Sequence, residues 1–128
     1  CGRTSYTAMT LSFNRANTVE KGRAIEQKVK TYLEEQGLTF VTNNFYTRYG
    51  EIDLVFRDGL TWIFIEVKFR QSEEYGRAED AFTKQKRQRL TKAIQFFVAQ
   101  YNINLQHHDH RIDLFAINGR RAKWYKAV

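Results

Sequence analysis

Apolar positions along the chain change period several times, and each change marks an element. Ile25, Val29, Tyr32 and Leu33 recur at helical spacing. Asn17 with Glu20 three residues later resembles a capping box before them, and Gly37 is a C-terminal stop after them. Residues 38–46 alternate loosely around Phe40, Val41, Phe45 and Tyr46, which predicts a first strand. Residues 50–57 and 62–69 are the clearest strands, rich in β-branched and aromatic residues, with the turn signal Asp58-Gly59 between them. Residues 70–80 are polar, contain Gly76 and read as a loop. A long helix follows over about 83–101, with Leu90, Ile94, Phe97 and Tyr101 on one face. After a polar loop over 102–109, residues 111–118 read as a buried strand. Asn118-Gly119 signals a second hairpin, and 122–127 form a short last strand.

The order is helix, three strands, helix, strand, strand. Short connections make the first three strands antiparallel, and the long helix allows a crossover to a further strand. The expected fold is α/β: a mixed β-sheet flanked by helices, in the order αβββαββ. Residues 17–128 make one domain. Residues 1–16 are set apart as an N-terminal extension. Within it, residues 1–8 show no period and are excluded as an appended remnant or the tail of an upstream segment.

The central hairpin fixes which side chains share a face. A two-residue turn at Asp58-Gly59 puts Asp53 opposite Phe64 and diagonal to Glu66. A four-residue turn over 58–61 puts Asp53 directly opposite Glu66. Either even-length loop leaves Asp53, Glu66 and Lys68 on one face. Opposed Cβ atoms lie roughly 5 Å apart, close enough for two carboxylates to share a cation. The other face carries Ile52, Leu54, Phe56, Ile63, Ile65 and Val67, and reads as core.

Two adjacent acids repel and hold protons more tightly, which is costly without a compensating cation. Lys68 supplies one positive charge, and a divalent metal supplies more. Asp and Glu oxygens, with positions left open to water and phosphate, suit Mg²⁺ or Mn²⁺. Such an ion polarises a scissile phosphate and lowers the pKa of a bound water. Lys68 then positions the attacking water or offsets charge on phosphorus. A lone Glu-x-Lys is usually an ordinary ion pair on a solvated strand. Asp53 at the matching place across the hairpin favours the chemical reading.

Glu26 borders the inward face of the first helix and is a candidate third carboxylate. A solvated helical acid fits its spacing equally well. Glu51 shares a face with Asp53 but sits near the strand start and reads as peripheral.

The net charge is +7 and the pI about 9.7, a balance that favours a polyanionic partner. Lys84, Lys86, Arg87, Arg89 and Lys92 form a run without an acid in the first half of the second helix. Part of this run is expected to be a solvated face, and part a phosphate-tracking patch. Arg48 and Arg70 flank the acid site and are candidates for further phosphate contacts. His107, His108 and His110 lie in a loop without supporting cysteines, so a zinc site is not expected. Trp62, Trp124 and the tyrosines read as core or sheet residues rather than base-stacking platforms.

Hydrophobic residues make up 42% of the 128, and proline is absent, which fits one globular domain. The single Cys1 cannot form an internal disulfide and fits a reducing compartment. No apolar run approaches the roughly 20 residues of a membrane span, and the start lacks the apolar stretch of a signal peptide.

Gly50-Glu51-Ile52-Asp53-Leu54 followed by Phe64-Ile65-Glu66-Val67-Lys68-Phe69-Arg70 resembles the PD-(D/E)xK nuclease superfamily. More narrowly, the chain resembles the YraN-like family of small bacterial proteins, related to archaeal Holliday-junction resolvases. The likeness runs from Gly22 and Glu26 to Arg111-Ile112-Asp113. It includes Asn44, Gly76 and Lys86-Arg87-Gln88-Arg89-Leu90. Phe69 stands where the family often has a small polar residue, and Ile112 where it usually has Phe. The resemblance implies a restriction-endonuclease-like fold, Asp53, Glu66 and Glu26 as metal ligands, Lys68 as the catalytic lysine, and a bacterial, cytoplasmic origin.

The expected function is a Mg²⁺- or Mn²⁺-dependent DNA endonuclease acting on branched or single-stranded DNA in repair or recombination. The alternative is a binding module that keeps the fold and holds nucleic acid without cutting it. The expected partner is nucleic acid, DNA before RNA, with no membrane. A homodimer suits a junction-cleaving enzyme, although no interface is legible in the sequence.

Overall fold

A computed structural model describes residues 6–11 and 18–128, with side chains in the second stretch from residue 22 onward. The elements are β1 (Tyr6–Thr10), α1 (Thr18–Glu35), β2 (Thr39–Thr47), β3 (Gly50–Asp58) and β4 (Thr61–Arg70). A 3-10 turn (Ala78–Ala81), α2 (Lys84–Gln100), β5 (His110–Asn118) and β6 (Arg121–Tyr125) complete them. The six strands form one sheet in the order β1-β6-β5-β4-β3-β2. Among the described strands, only β4 and β5 pair in parallel, and α2 carries the chain between them. This is the mixed sheet flanked by helices that the periodicity predicts.

The order departs from αβββαββ at its start. Tyr6–Thr10, set apart with the extension, is an edge strand paired antiparallel with β6, from Tyr6↔Tyr125 to Thr10↔Arg121. A strand of five residues whose partner lies at the far end of the chain leaves no hairpin signal for a local reading to find. The capping residue Asn17 lies outside the described residues. At the other end of α1, Leu38 N–H bonds the Leu33 carbonyl at 3.1 Å and Gly37 N–H bonds that of Glu34 at 3.0 Å. Gly37 takes φ 93° there, the left-handed stop that glycine accepts without strain.

Apolar layers cover both faces of the sheet. On one, Ile25, Val29 and Leu33 of α1 pack on Leu54, Phe56, Ile63, Ile65, Phe115 and Ile117. On the other, Leu90, Ala93, Ile94 and Phe97 of α2 pack on Ile52, Val55 and Phe64. The expectation of one core face on the hairpin is corrected here. Ile52 joins the α2 layer while Leu54 joins the α1 layer, so strict alternation breaks at Asp53. The neighbouring strand is also irregular: Asn44, bracketed opposite Asp53 by the pairs Asn43↔Leu54 and Phe45↔Ile52, takes φ 52°.

Two polar devices fix the β5 end. Asp113 is fully buried and accepts from Arg111 Nε at 3.1 Å, Trp124 Nε1 at 2.8 Å and Ala127 N–H at 3.0 Å. Asn118 accepts Ala78 N–H at 2.7 Å and donates to Glu79 at 2.8 Å, and Glu79 also receives the Tyr125 hydroxyl at 2.7 Å. These bonds hold the 3-10 turn against β5, where Ala78 packs with Leu114 and Ala116. Tyr125 is pushed up to about 12, by burial and by Glu79 accepting its proton.

Candidate active site

The acid–lysine group forms where the α2-side apolar layer runs out. The register is Leu54↔Ile65, Phe56↔Ile63, Arg57↔Trp62 and Asp58↔Thr61. Gly59 and Leu60 close the turn, and Gly59 takes φ 60°. This is the register that carries Asp53 opposite Glu66. Along β4, Trp62 and Phe64 pack with the α2 layer, and Glu66 and Lys68 continue the same alternation beyond them.

Backbone pairing of β3 with β4 ends at Leu54↔Ile65, and the Asp53 side chain takes over. Its Oδ2 accepts Val67 N–H at 2.8 Å. Asp53 is only 6% exposed. Burial pushes its carboxyl up to about 8, helped by the charges of Glu66, Glu51 and Glu26, while the Val67 N–H works the other way. Burial also raises Glu66, opposed by the charge and hydrogen bond of Lys68 and by a hydrogen bond from Asp53. Lys68 Nζ stands 3.1 Å from Glu66 Oε1. Both carboxyls therefore hold their protons more tightly than usual, beside a lysine.

Glu66 and Lys68 open into a cleft of about 200 Å³ whose lining also includes Tyr49, Gly50, Glu51, Lys86 and Arg89. Glu51, expected to be peripheral, belongs to the site: it lines this cleft and raises Asp53, Glu66 and Glu26. The turn between β2 and β3 folds back on α2 here. A Cβ built on Gly50 would meet that of Arg89 at 3.5 Å. Arg48 lines a wider adjoining cleft with Gln85, Gln88 and Lys92.

The structure does not gather all the predicted residues. Glu26 lines a separate cleft on the α1 side with Arg23, Lys30 and Asn44, and acts on Asp53 only through its charge. Burial raises its carboxyl, and a hydrogen bond from Asn44 opposes the rise. Arg70, Lys84 and Arg87 line neither cleft near the acids. Arg87 instead donates to the Val128 carbonyl at 3.2 Å. Among the described residues, no three histidine, cysteine or acidic side chains are gathered tightly enough to form a ready metal cage. Asp53 and Glu66 are nonetheless the hard oxygen donors that a divalent cation such as Mg²⁺ would take, and binding one would displace their protons.

The family model described as Uncharacterised protein family UPF0102 matches residues 25–117. The chain belongs to family UPF0102. Its UPF0102 relatives include one from Klebsiella pneumoniae, 41% identical over 115 residues, covering 88% of this chain and 90% of the relative. A Vibrio cholerae UPF0102 protein is 39% identical, covering 86% and 92%. One from Colwellia psychrerythraea is 36% identical, covering 84% of each. The UPF0102 match takes in α1 from Ile25 onward, Asp53, Glu66, Lys68 and all of α2, so the cleft lies within the family region. Among the described residues, no helix is long and apolar enough to cross a membrane.

Proposed function

We propose that this chain is a Mg²⁺- or Mn²⁺-dependent DNA endonuclease of the PD-(D/E)xK, restriction-endonuclease-like kind, acting in repair or recombination. The observation that carries the reading is buried Asp53 across the hairpin from Glu66, with Lys68 3.1 Å from Glu66, at the edge of a cleft lined by Lys86 and Arg89. Carboxylates so placed repel a phosphate unless a cation stands between them, and a module that only binds DNA has no use for them.

Asp53 and Glu66 are the residues that would hold the ion. When bound, it supplies Lewis-acid charge to the phosphoryl oxygens. The chain's own groups do the rest. Lys86 and Arg89 hold the phosphate backbone against the cleft. Val67 N–H fixes the Asp53 carboxylate, so it does not reorient when its proton leaves. Lys68, held by Glu66, orients the attacking water and offsets charge as it adds to phosphorus. The water oxygen bonds phosphorus and gives up a proton to solvent, one P–O ester bond breaks, and the departing oxygen takes a proton from solvent.

The test is cleavage of labelled duplex, single-stranded, flap and four-way-junction DNA with Mg²⁺ or Mn²⁺, for the parent, Asp53→Ala and Lys68→Ala. Metal-dependent cutting by the parent, lost in both variants, supports the proposal. No cutting of any substrate, with salt-sensitive binding intact in all three proteins, favours the non-catalytic binding module instead.

A further inference from the structure

The wider cleft beside the acids has a composition that phosphate binding alone does not explain. It measures about 670 Å³, within the roughly 300–1,000 Å³ of ligand pockets. One wall is a stripe of α2, with Gln85, Gln88 and Lys92 at helical spacing, and Phe96 follows one turn beyond it. The other wall is the turn between β2 and β3. Tyr49 stacks on Phe96 with ring centroids 5.5 Å apart and planes at 28°. Lys92 and Arg48 sit 4.9 and 5.2 Å from the Tyr49 ring centre. The rings are 39% and 44% exposed, so this aromatic ledge lies at the surface rather than in either core.

We infer that this cleft takes one unpaired nucleotide of the DNA, its base stacked on Tyr49 and its edge met by Gln85 and Gln88. The inference deepens the nuclease reading and rests on it for what the acid site does. Surface cations alone would hold any duplex by its phosphates. A tyrosine ledge flanked by carboxamides has a different use, since it offers a π-face and paired donors and acceptors. A base inside a duplex has no free face to stack and no free pairing edge; a base in a single strand, flap or fork has both. In the free protein, Lys92 and Arg48 rest on the ring. A base that replaces them there releases both cations to the flanking phosphates. Tyr49, Gly50 and Arg89 line both clefts, so the stacked nucleotide lies directly beside the acid pair. The substrate class is therefore DNA with an unpaired nucleotide next to the cut.

The test is binding in EDTA, where cleavage plays no part, so failure of the nuclease reading leaves it interpretable. Fluorescence anisotropy compares a labelled single strand, a fork and a matched duplex at fixed salt. The proteins are the parent, Tyr49→Ala and Tyr49→Phe, each checked for an unchanged melting temperature. The expected result is a parent preference for the single strand and fork of roughly ten- to hundredfold. Tyr49→Ala loses that preference with duplex affinity unchanged, and Tyr49→Phe keeps it. A 5-iodouracil strand crosslinks to Tyr49 in the parent. Equal affinity for all three DNAs, binding of none, or a preference that survives Tyr49→Ala overturns the inference.

Discussion

The Asp53 carboxylate occupies the place of a backbone acceptor: its Oδ2 takes the Val67 N–H at 2.8 Å where the ladder between β3 and β4 has ended. One side chain thus closes the sheet and stands across the hairpin from Glu66, which lines the cleft. It is anchored before any ligand arrives, at the cost of burying an acid beside another acid. The first predictions follow from that double use.

Asp53→Asn keeps an oxygen for the Val67 N–H and removes the buried acid group. Its stability in EDTA at pH 7 is expected to match or exceed the parent's. Asp53→Ala leaves that N–H without its acceptor and is expected to cost about 1–3 kcal/mol. Urea denaturation of the three proteins checks the ordering.

The same pair sets a pH dependence. The folded Asp53 carboxyl stands at about 8 against an ordinary 3.8. Between those values the folded state holds a proton that the unfolded state has lost. The stabilisation is thus complete below about pH 4 and is lost as pH rises through about 8. Without divalent cation, the parent is expected to weaken relative to Asp53→Asn across this window, at up to about 1.4 kcal/mol per pH unit. Denaturation curves from pH 4 to 9 test this; a constant difference between the two proteins would contradict it.

Asp113 is a structural acid. Removing its side chain strands the Trp124 indole N–H, the Ala127 N–H and the Arg111 guanidinium together. Asp113→Ala is expected to cost about 3–5 kcal/mol, read as a lowered denaturation midpoint.

The basic run on α2 divides by direction. Lys86 and Arg89 line the acid cleft, whereas Arg87 turns to the chain terminus. Lys86→Ala and Arg89→Ala are each expected to weaken DNA binding and to lower its salt slope by about 1. Arg87→Ala is expected to leave the slope unchanged. Salt titrations of DNA affinity separate the three.

Most of the fold was legible because period and punctuation agree along the chain. Thr83 caps α2 through its side chain, which accepts Lys86 N–H, and Tyr101 ends it, so the predicted bounds and the observed ones coincide. The meeting of Asp53, Glu66 and Lys68 was legible because an even hairpin loop preserves the face whichever length it takes. What was missed depends on contacts distant in sequence. β1 pairs with β6 across nearly the whole chain. The hairpin was given one apolar face because Val55 and Phe64 fall on the side assigned to the acids; α2 packs on that side and α1 on the other. Glu51 looked peripheral from its place at a strand start, before the turn was seen folded against Arg89. Tyr49 carried no periodic signal, and only the Gln85–Gln88–Lys92 stripe of α2 hinted at a second polar wall. Asn118 was read as a turn residue, and its side chain proves to be a clamp on the 3-10 turn.

The most direct measurement is the single-turnover rate at which prebound DNA is cut in Mg²⁺ or Mn²⁺ by the parent and by Lys68→Met, alongside their affinities for that DNA. A lysine that acts only on the reacting phosphate should leave affinity within about twofold while the rate falls roughly 10²–10³-fold. A parent that binds DNA and never cuts it, or a Lys68→Met protein that cuts as fast as the parent, would contradict the assignment of this site to phosphodiester hydrolysis.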